Sequence, residues 1–237
     1  MTNILNIKDS EIKFFQESIL TWYARNGRHF SWRNKSASNY EVIIAEIFLQ
    51  RTKAETVAAF LPSFYSKYPS WKQLGGATEE ELKLQIKPLG LYNQRGRRLF
   101  NLAQKLKERN GHFPKNRDLV EEMPMMGQYI SNAFELYILK KPSPLLDVNM
   151  ARVLERFFGP RKLSDIRYDP YLQELANSVV NHPEAKDVNW SILDLGSLVC
   201  KSRNYNCSCC PLNQKCNFYM HEQSASLTKL NSSRWEP

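Results

Sequence analysis

Apolar residues recur three and four positions apart from early in the chain. Ile12, Phe15, Ile19, Leu20 and Tyr23 fall on one face over residues 10–25, which predicts an amphipathic helix. A loop over 26–39 follows and holds Gly27-Arg28 and Trp32-Arg33. Residues 40–50, YEVIIAEIFLQ, are apolar on nearly every side and predict a second, buried helix, in which only Glu41, Glu46 and Gln50 carry clear polarity. The neighbours of Glu46 one turn away are Val42, Ile43, Leu49 and Gln50, so its carboxylate lies on an apolar face, an unusual placement for a glutamate. Further helices are predicted over 55–68, 78–87, 94–109 and 116–122, separated by the turn signals Pro69-Ser70, Gly75-Gly76 and Gly90. A tight turn from Pro124 to Gly127 then opens a helix with Tyr129 near its start. Two prolines, Pro142 and Pro144, lead on to Asp147, and helices over 150–158, 170–180 and 188–199 complete the pattern. No stretch alternates in the manner of a strand, and no internal repeat or low-complexity segment interrupts it. The fold class is therefore all-α. Residues 221–237 are polar and Ser-rich and are expected to form a flexible tail.

Composition adds a partner class. Thirty-three Lys and Arg face 24 Asp and Glu, a formal charge of +9, which favours a polyanion. With 42% hydrophobic residues the chain has the material for real cores. The first 26 residues scatter Asp9, Glu11, Lys13 and Glu17 and hold no signal-peptide pattern, and no run reaches the ~20 apolar residues of a membrane span. The expectation is a soluble, intracellular protein with reduced or metal-bound cysteines.

All five cysteines fall between Cys200 and Cys216, four of them spaced C-x6-C-x2-C-x5-C at Cys200, Cys207, Cys210 and Cys216. Clustering of this kind in a cytosolic chain points to metal, and four thiolates suit either tetrahedral zinc or an iron–sulfur cluster. No His or carboxylate among them offers an open position, so the site reads as structural, shaping a short basic loop that contains Lys201, Arg203 and Lys215. Cys209 is left over.

The turn at Gly127 and the helix after it present free N–H groups, the arrangement that holds an anion such as a DNA phosphate. Asp147 follows Leu145 and Leu146 and opens the next helix. Alone it reads as a helix cap; with Glu46 on its apolar face and the cysteine loop, the same carboxylate reads as chemistry.

Taken together, WYARNGRHFSWR (22–33), EIFLQRT (46–52), LGLYNQR (89–95), the hairpin, LLDVN, LDLGSLVC and the cysteine loop resemble the helix-hairpin-helix DNA glycosylase superfamily. The likeness is to its endonuclease III and MutY branch, and within that to Mig-type thymine glycosylases. It covers nearly the whole chain, and the cysteine spacing matches the family's [4Fe–4S] loop position for position. The resemblance implies a bilobal all-α fold: a six-helix barrel lobe with the hairpin over 36–148, and a cluster lobe joining 1–35 to 149–220. DNA would lie across the cleft, with the target nucleotide flipped out of the stack. The implied partner is double-stranded DNA containing a mismatch, bound by a monomer in the cytoplasm with no membrane involved.

Residue by residue, Asp147 matches the family's catalytic aspartate, which stabilises positive charge on the sugar as the base departs. Tyr129 stands where lyase members carry a lysine that attacks the sugar, and where MutY carries serine; tyrosine implies base removal without strand cleavage. Glu46 matches a glutamate that protonates the leaving base. Gln50 and Arg51 match residues that enter the space left by the flipped nucleotide, and Gly127, Gln128, Asn149 and Arg95 complete the implied DNA contacts. The implied reaction is excision of thymine or uracil opposite guanine. Excision of adenine, and an inactive binder of distorted duplex, are the alternatives. One departure stands out: the family hairpin reads L-P-G-V-G, and here Met125 takes the place of the first glycine.

Overall fold

A computed structural model describes residues 7–223. Every regular element among them is helical. Contacts divide the chain into two compact units, a central one from His29 to Lys141 and a terminal one combining residues up to Arg28 with those from Pro142 onward.

The central unit runs through α2 (Asn39–Leu49), α3 (Ala54–Lys67), α4 (Trp71–Gly75), α5 (Glu79–Gln85), α6 (Tyr92–Glu108), α7 (Arg117–Glu121) and α8 (Gln128–Tyr137), following α1 (Asp9–Asn26) of the other unit. Ser38 starts α2 by accepting from the Glu41 N–H, while Glu41 reaches back to the Ser38 N–H, so both exposed donors are satisfied reciprocally. Thr78 and Glu81 start α5 in the same way. From Val42 to Phe48 α2 is buried throughout, which makes it the axis of this core. Phe60, Leu61 and Phe64 of α3, Leu99, Leu102 and Leu106 of α6, and Ile130 and Phe134 of α8 pack in the same cluster. Trp32 also belongs here, although the loop around it was assigned to the other lobe from sequence: its indole is 3% exposed and stacks on Phe30 at 4.5 Å.

The terminal unit is built from α1 (Asp9–Asn26), α9 (Val148–Phe158), α10 (Pro170–Val180) and α11 (Ala185–Leu198). Phe15 and Ile19 of α1 pack with Leu154 and Phe157 of α9, Leu175 of α10 and Ile192 and Leu195 of α11. Beyond α1, the Arg28 N–H and guanidinium grip the fully buried Asp194 carboxylate of α11 with contacts of 2.7 to 2.9 Å. Removing Arg28 would withdraw this positive charge from a fully buried carboxylate, which is costly. Gly196 lets α11 cross α9 closely: a Cβ there would meet Asn149 Cβ at 3.1 Å and Asn149 O at 3.2 Å.

The nine helices whose limits were expected lie within three residues of those limits. The short helix α4 was not expected, because its flanking Pro69-Ser70 and Gly75-Gly76 read as one loop. Residues 221–223 complete a helical turn, and the rest of the expected tail lies outside the described residues. No helix among the described residues is long and apolar enough to cross a membrane.

Candidate active site and DNA contacts

Glu46 lies near the end of α2 and is 2% exposed. A carboxylate so placed requires hydrogen-bond partners, and α8 supplies two. Tyr129 donates its hydroxyl to Glu46 Oε2 at 2.8 Å, and Tyr137 donates to Oε1 at 3.0 Å. Tyr129, Ala133 and Tyr137 are spaced four apart and so share one stripe of α8; the fully buried Ala133 at its centre is small enough to leave room between the two rings. Tyr137 did not emerge from the sequence, where it reads as one more core aromatic. Its signal is the four-residue spacing from Tyr129 across an alanine.

The turn between α7 and α8 carries a backbone peculiarity. Met125 has φ 69°, in the left-handed region that side chains avoid. A glycine is the unstrained choice there, which is the physical reason the replacement is notable. The Met125 side chain is 9% exposed and joins the central core, so burial offsets the strain. Burying a methionine is worth roughly 1.5–3 kcal/mol, against about 1–2 kcal/mol for the left-handed backbone. Glycine in its place would also be freer in the unfolded chain, at roughly 0.5–1 kcal/mol. Met125→Gly is therefore expected to destabilise the protein by ~1 kcal/mol, read as a lower denaturant midpoint at unchanged slope.

Gly127 presents the opposite case. Its φ of −75° suits any residue, and an added Cβ would meet nothing within 4 Å. Nothing inside the protein calls for glycine at this position. It is exposed, caps α8 without any side-chain oxygen, and is followed by the exposed Gln128.

At the far end of α2, Gln50 is half-buried and Arg51 is exposed with φ 62°. The turn they form is held by Arg95, whose guanidinium donates to Phe48 O at 3.0 Å, Thr52 Oγ1 at 2.9 Å and Leu89 O at 3.3 Å. Arg95 thus turns inward and ties three segments together, and burial lowers its pKa.

In the terminal unit Asp147 is the N-cap of α9. Its Oδ1 accepts from the N–H groups of Asn149 and Met150, both at 2.8 Å, and its Oδ2 accepts from Asn149 Nδ2 at 2.8 Å. Burial raises the Asp147 pKa above 3.8, and these hydrogen bonds, with the charge of Arg152, pull it back only in part. The amide of Asn149 continues the chain of contacts: its Oδ1 accepts from Arg152 Nη2 at 2.8 Å. Arg152 also donates to Gly196 O and to Cys200 O, both at 2.8 Å. The segment delivering Asp147 is fixed from behind by the fully buried Asn189 of α11, whose Oδ1 accepts from Leu145 N at 2.7 Å and whose Nδ2 donates to Ser143 O. Asn189 and Arg152 were both missed from sequence; an asparagine in the apolar run of α11 was the available signal.

The four loop cysteines are free thiols that lie within electrostatic reach of one another. Burial pushes the Cys210 thiol up to about 12 and raises Cys207 and Cys216 as well. Cys209 is exposed on the loop. Among the described residues no three His, Cys, Asp or Glu side chains converge closely enough to hold a single metal ion.

The helical fold has a solved counterpart. A thermostable thymine-DNA glycosylase superposes with a TM-score of 0.82 at 29% identity, covering 90% of this chain and 98% of that one. The chain belongs to the HhH-GPD superfamily of base excision DNA repair proteins, whose family model matches residues 44–179. Among curated relatives, a thymine/uracil-DNA glycosylase of Pyrobaculum aerophilum is 36% identical, over 88% of this chain and 93% of its own length. An adenine DNA glycosylase of Mus musculus is 30% identical over 93% of this chain, which spans 45% of that longer protein.

Proposed function

We propose that this chain is a monofunctional DNA glycosylase that hydrolyses the N-glycosidic bond of thymine or uracil paired with guanine. The observation that supports the monofunctional part is the Tyr129 hydroxyl donated to Glu46: at the position matched to the lysine of lyase members, the group beside this carboxylate is a phenol and not an amine. The choice of base is supported by similarity to thymine/uracil-DNA glycosylases. Excision of adenine is the second reading, favoured by the mouse relative, since Glu46 serves either leaving group.

In this reading Asp147, ionised, faces the sugar of a flipped nucleotide and stabilises positive charge as the glycosidic bond breaks. The N–H groups of Asn149 and Met150 fix where its Oδ1 points. Glu46 serves the departing base, and Tyr129 and Tyr137 hold both its oxygens. Gln50 and Arg51 fill the vacated stack, with Arg95 acting at one remove by holding their turn. Gln128 and Asn149 contribute further DNA contacts, and a monomer suffices for all of them.

Cys200, Cys207, Cys210 and Cys216 would hold a [4Fe–4S] cluster. The donor set fits: four thiols with no other ligand type among them, within electrostatic reach of one another. When bound, the cluster supplies a fixed loop shape that presents Lys201 and Arg203 toward phosphates.

Labelled duplexes containing G·T, G·U, A·G or A·8-oxoguanine test the reading, each incubated with and without hot alkali. Alkali-dependent cleavage of the thymine or uracil strand is expected; dominant release of adenine would replace the first reading with the second. Gly127→Ala separates hairpin contact from folding. Stability is expected to hold within about 0.5 kcal/mol, because the unfolded-state gain is offset by the poorer N-cap that alanine makes, while affinity for duplex falls ~5-fold as the Cβ obstructs the phosphate. Titration of fluorescent duplex reads this, and an unchanged Kd would remove the hairpin from the DNA interface.

A further inference from the structure

Arg156 of α9 touches the first and last of the four cysteines at once. Its Nη1 donates to Cys200 Sγ at 3.4 Å and to Lys201 O at 2.8 Å, and its own carbonyl accepts from Cys216 Sγ at 3.3 Å. The guanidinium is held between two rings, 4.7 Å from the centroid of Tyr205 and 4.5 Å from that of Phe218. Those rings meet edge to face at 5.2 Å and 84°, and the Tyr205 hydroxyl is anchored by donating to Glu222 Oε1 at 2.5 Å. A cation caged in this way loses rotational freedom and part of its hydration, and its field on the sulfur ahead of it strengthens accordingly. The neighbouring Arg152 holds the Cys200 carbonyl, so the backbone and the sulfur of this one residue are each fixed by an arginine one turn apart on α9.

We propose that Arg156, caged by Tyr205 and Phe218, sets the reduction potential of a cluster bound by the four cysteines, through a charge-assisted hydrogen bond to the Cys200 sulfur. This role rests on those cysteines holding a four-iron cluster. Reduction adds one electron to the cluster, with no bond made or broken and no proton moved. An N–H donor and a positive charge at a ligand sulfur stabilise the more negative state, so they draw the potential upward. The Cys216 contact to the Arg156 carbonyl belongs to the thiol form, because a coordinating thiolate has no proton to donate.

The test is voltammetry of the intact, cluster-loaded protein, the electrode supplying the electron, for the wild type, Arg156→Met, Arg156→Lys and Tyr205→Leu. Iron content and visible absorption are measured on every sample. The Met variant is expected to show a clearly more negative potential. Lysine, which keeps charge without the planar donor, should fall between Met and wild type, and the opened cage of Tyr205→Leu should shift in the same direction. Identical potentials in the Lys and Leu variants and the wild type would overturn the role even if the Met variant failed to retain iron. Iron-free wild-type protein would overturn the cluster itself, and the role of Arg156 with it, whereas wild-type potentials in iron-replete variants would overturn the role of Arg156 alone.

Discussion

Asp147→Asn should lower single-turnover base excision by about 10³-fold, the scale of removing a preorganised electrostatic group from a water-poor site. Folding should survive the change. Asparagine caps helices as well as aspartate does, and its Oδ1 can still accept from the N–H groups of Asn149 and Met150. The loss is the second oxygen, which takes the Asn149 Nδ2 hydrogen bond; Asn149 cannot answer by flipping, because its own oxygen is engaged by Arg152. One hydrogen bond of this kind is worth ~1 kcal/mol, and relief from burying a charge offsets it. Duplex affinity should stay within about threefold, as no phosphate contact is removed. Turnover equal to wild type would take Asp147 out of the reaction.

The same carboxylate predicts a pH dependence. Burial raises its pKa above the ordinary 3.8, so the excision rate should fall along an acid limb lying above pH 3.8 as the ionised form is lost. The stability effect has the opposite sense. A raised folded-state pKa means that the native protein binds this proton more tightly, so the contribution is complete below pH 3.8 and is lost as pH rises through the folded-state value. The protein thus gives up stability at neutral pH to keep Asp147 charged, and the Asn variant should lack this pH-dependent loss.

Tyr129→Lys should convert base removal into base removal with strand cleavage. The introduced amine would replace a phenol that reaches Glu46 Oε2, on the stripe of α8 that carries Ala133 and Tyr137. Beside a carboxylate the ammonium form is favoured, and only the neutral amine attacks the sugar, so the new activity should rise with pH. Covalent trapping on uracil-containing duplex with borohydride should exceed the wild-type background by at least ~10-fold. Strand breaks produced by the wild type before alkali would contradict the monofunctional reading from which this argument starts.

Much of the architecture was legible because helix periodicity was strong. Ile12 to Tyr23 and the unbroken apolar run around Glu46 each specify a helix and its inner face, and a glutamate in such a run is anomalous without any coordinates. Asp147 was legible as a cap, and remains one. Less accessible were contacts across elements. Tyr137 looks like any core aromatic until α2 brings Glu46 between it and Tyr129, and Asn189 binds segments 44 and 46 residues away in sequence. Arg95 read as part of a basic run open to phosphate, but its guanidinium is directed to the carbonyls of Phe48 and Leu89, a pairing set by how α6 packs. Met125 was visible as an irregularity in the hairpin, and its left-handed backbone gives that irregularity a physical meaning. The short α4 escaped because five residues hold too little of a helical period to be distinguished from a loop.

The division of the chain also fixes an order of events. α1, which precedes the central unit in sequence, finds its partners in α9, α10 and α11, all of which are synthesised after that unit. At ordinary translation speeds its apolar face, Phe15 and Ile19 included, is left without those partners for on the order of ten seconds, while the central unit, continuous in sequence, can already collapse. Refolding of the full chain should therefore be biphasic, with burial around Trp32 and Trp71 complete before α1 gains protection from hydrogen exchange.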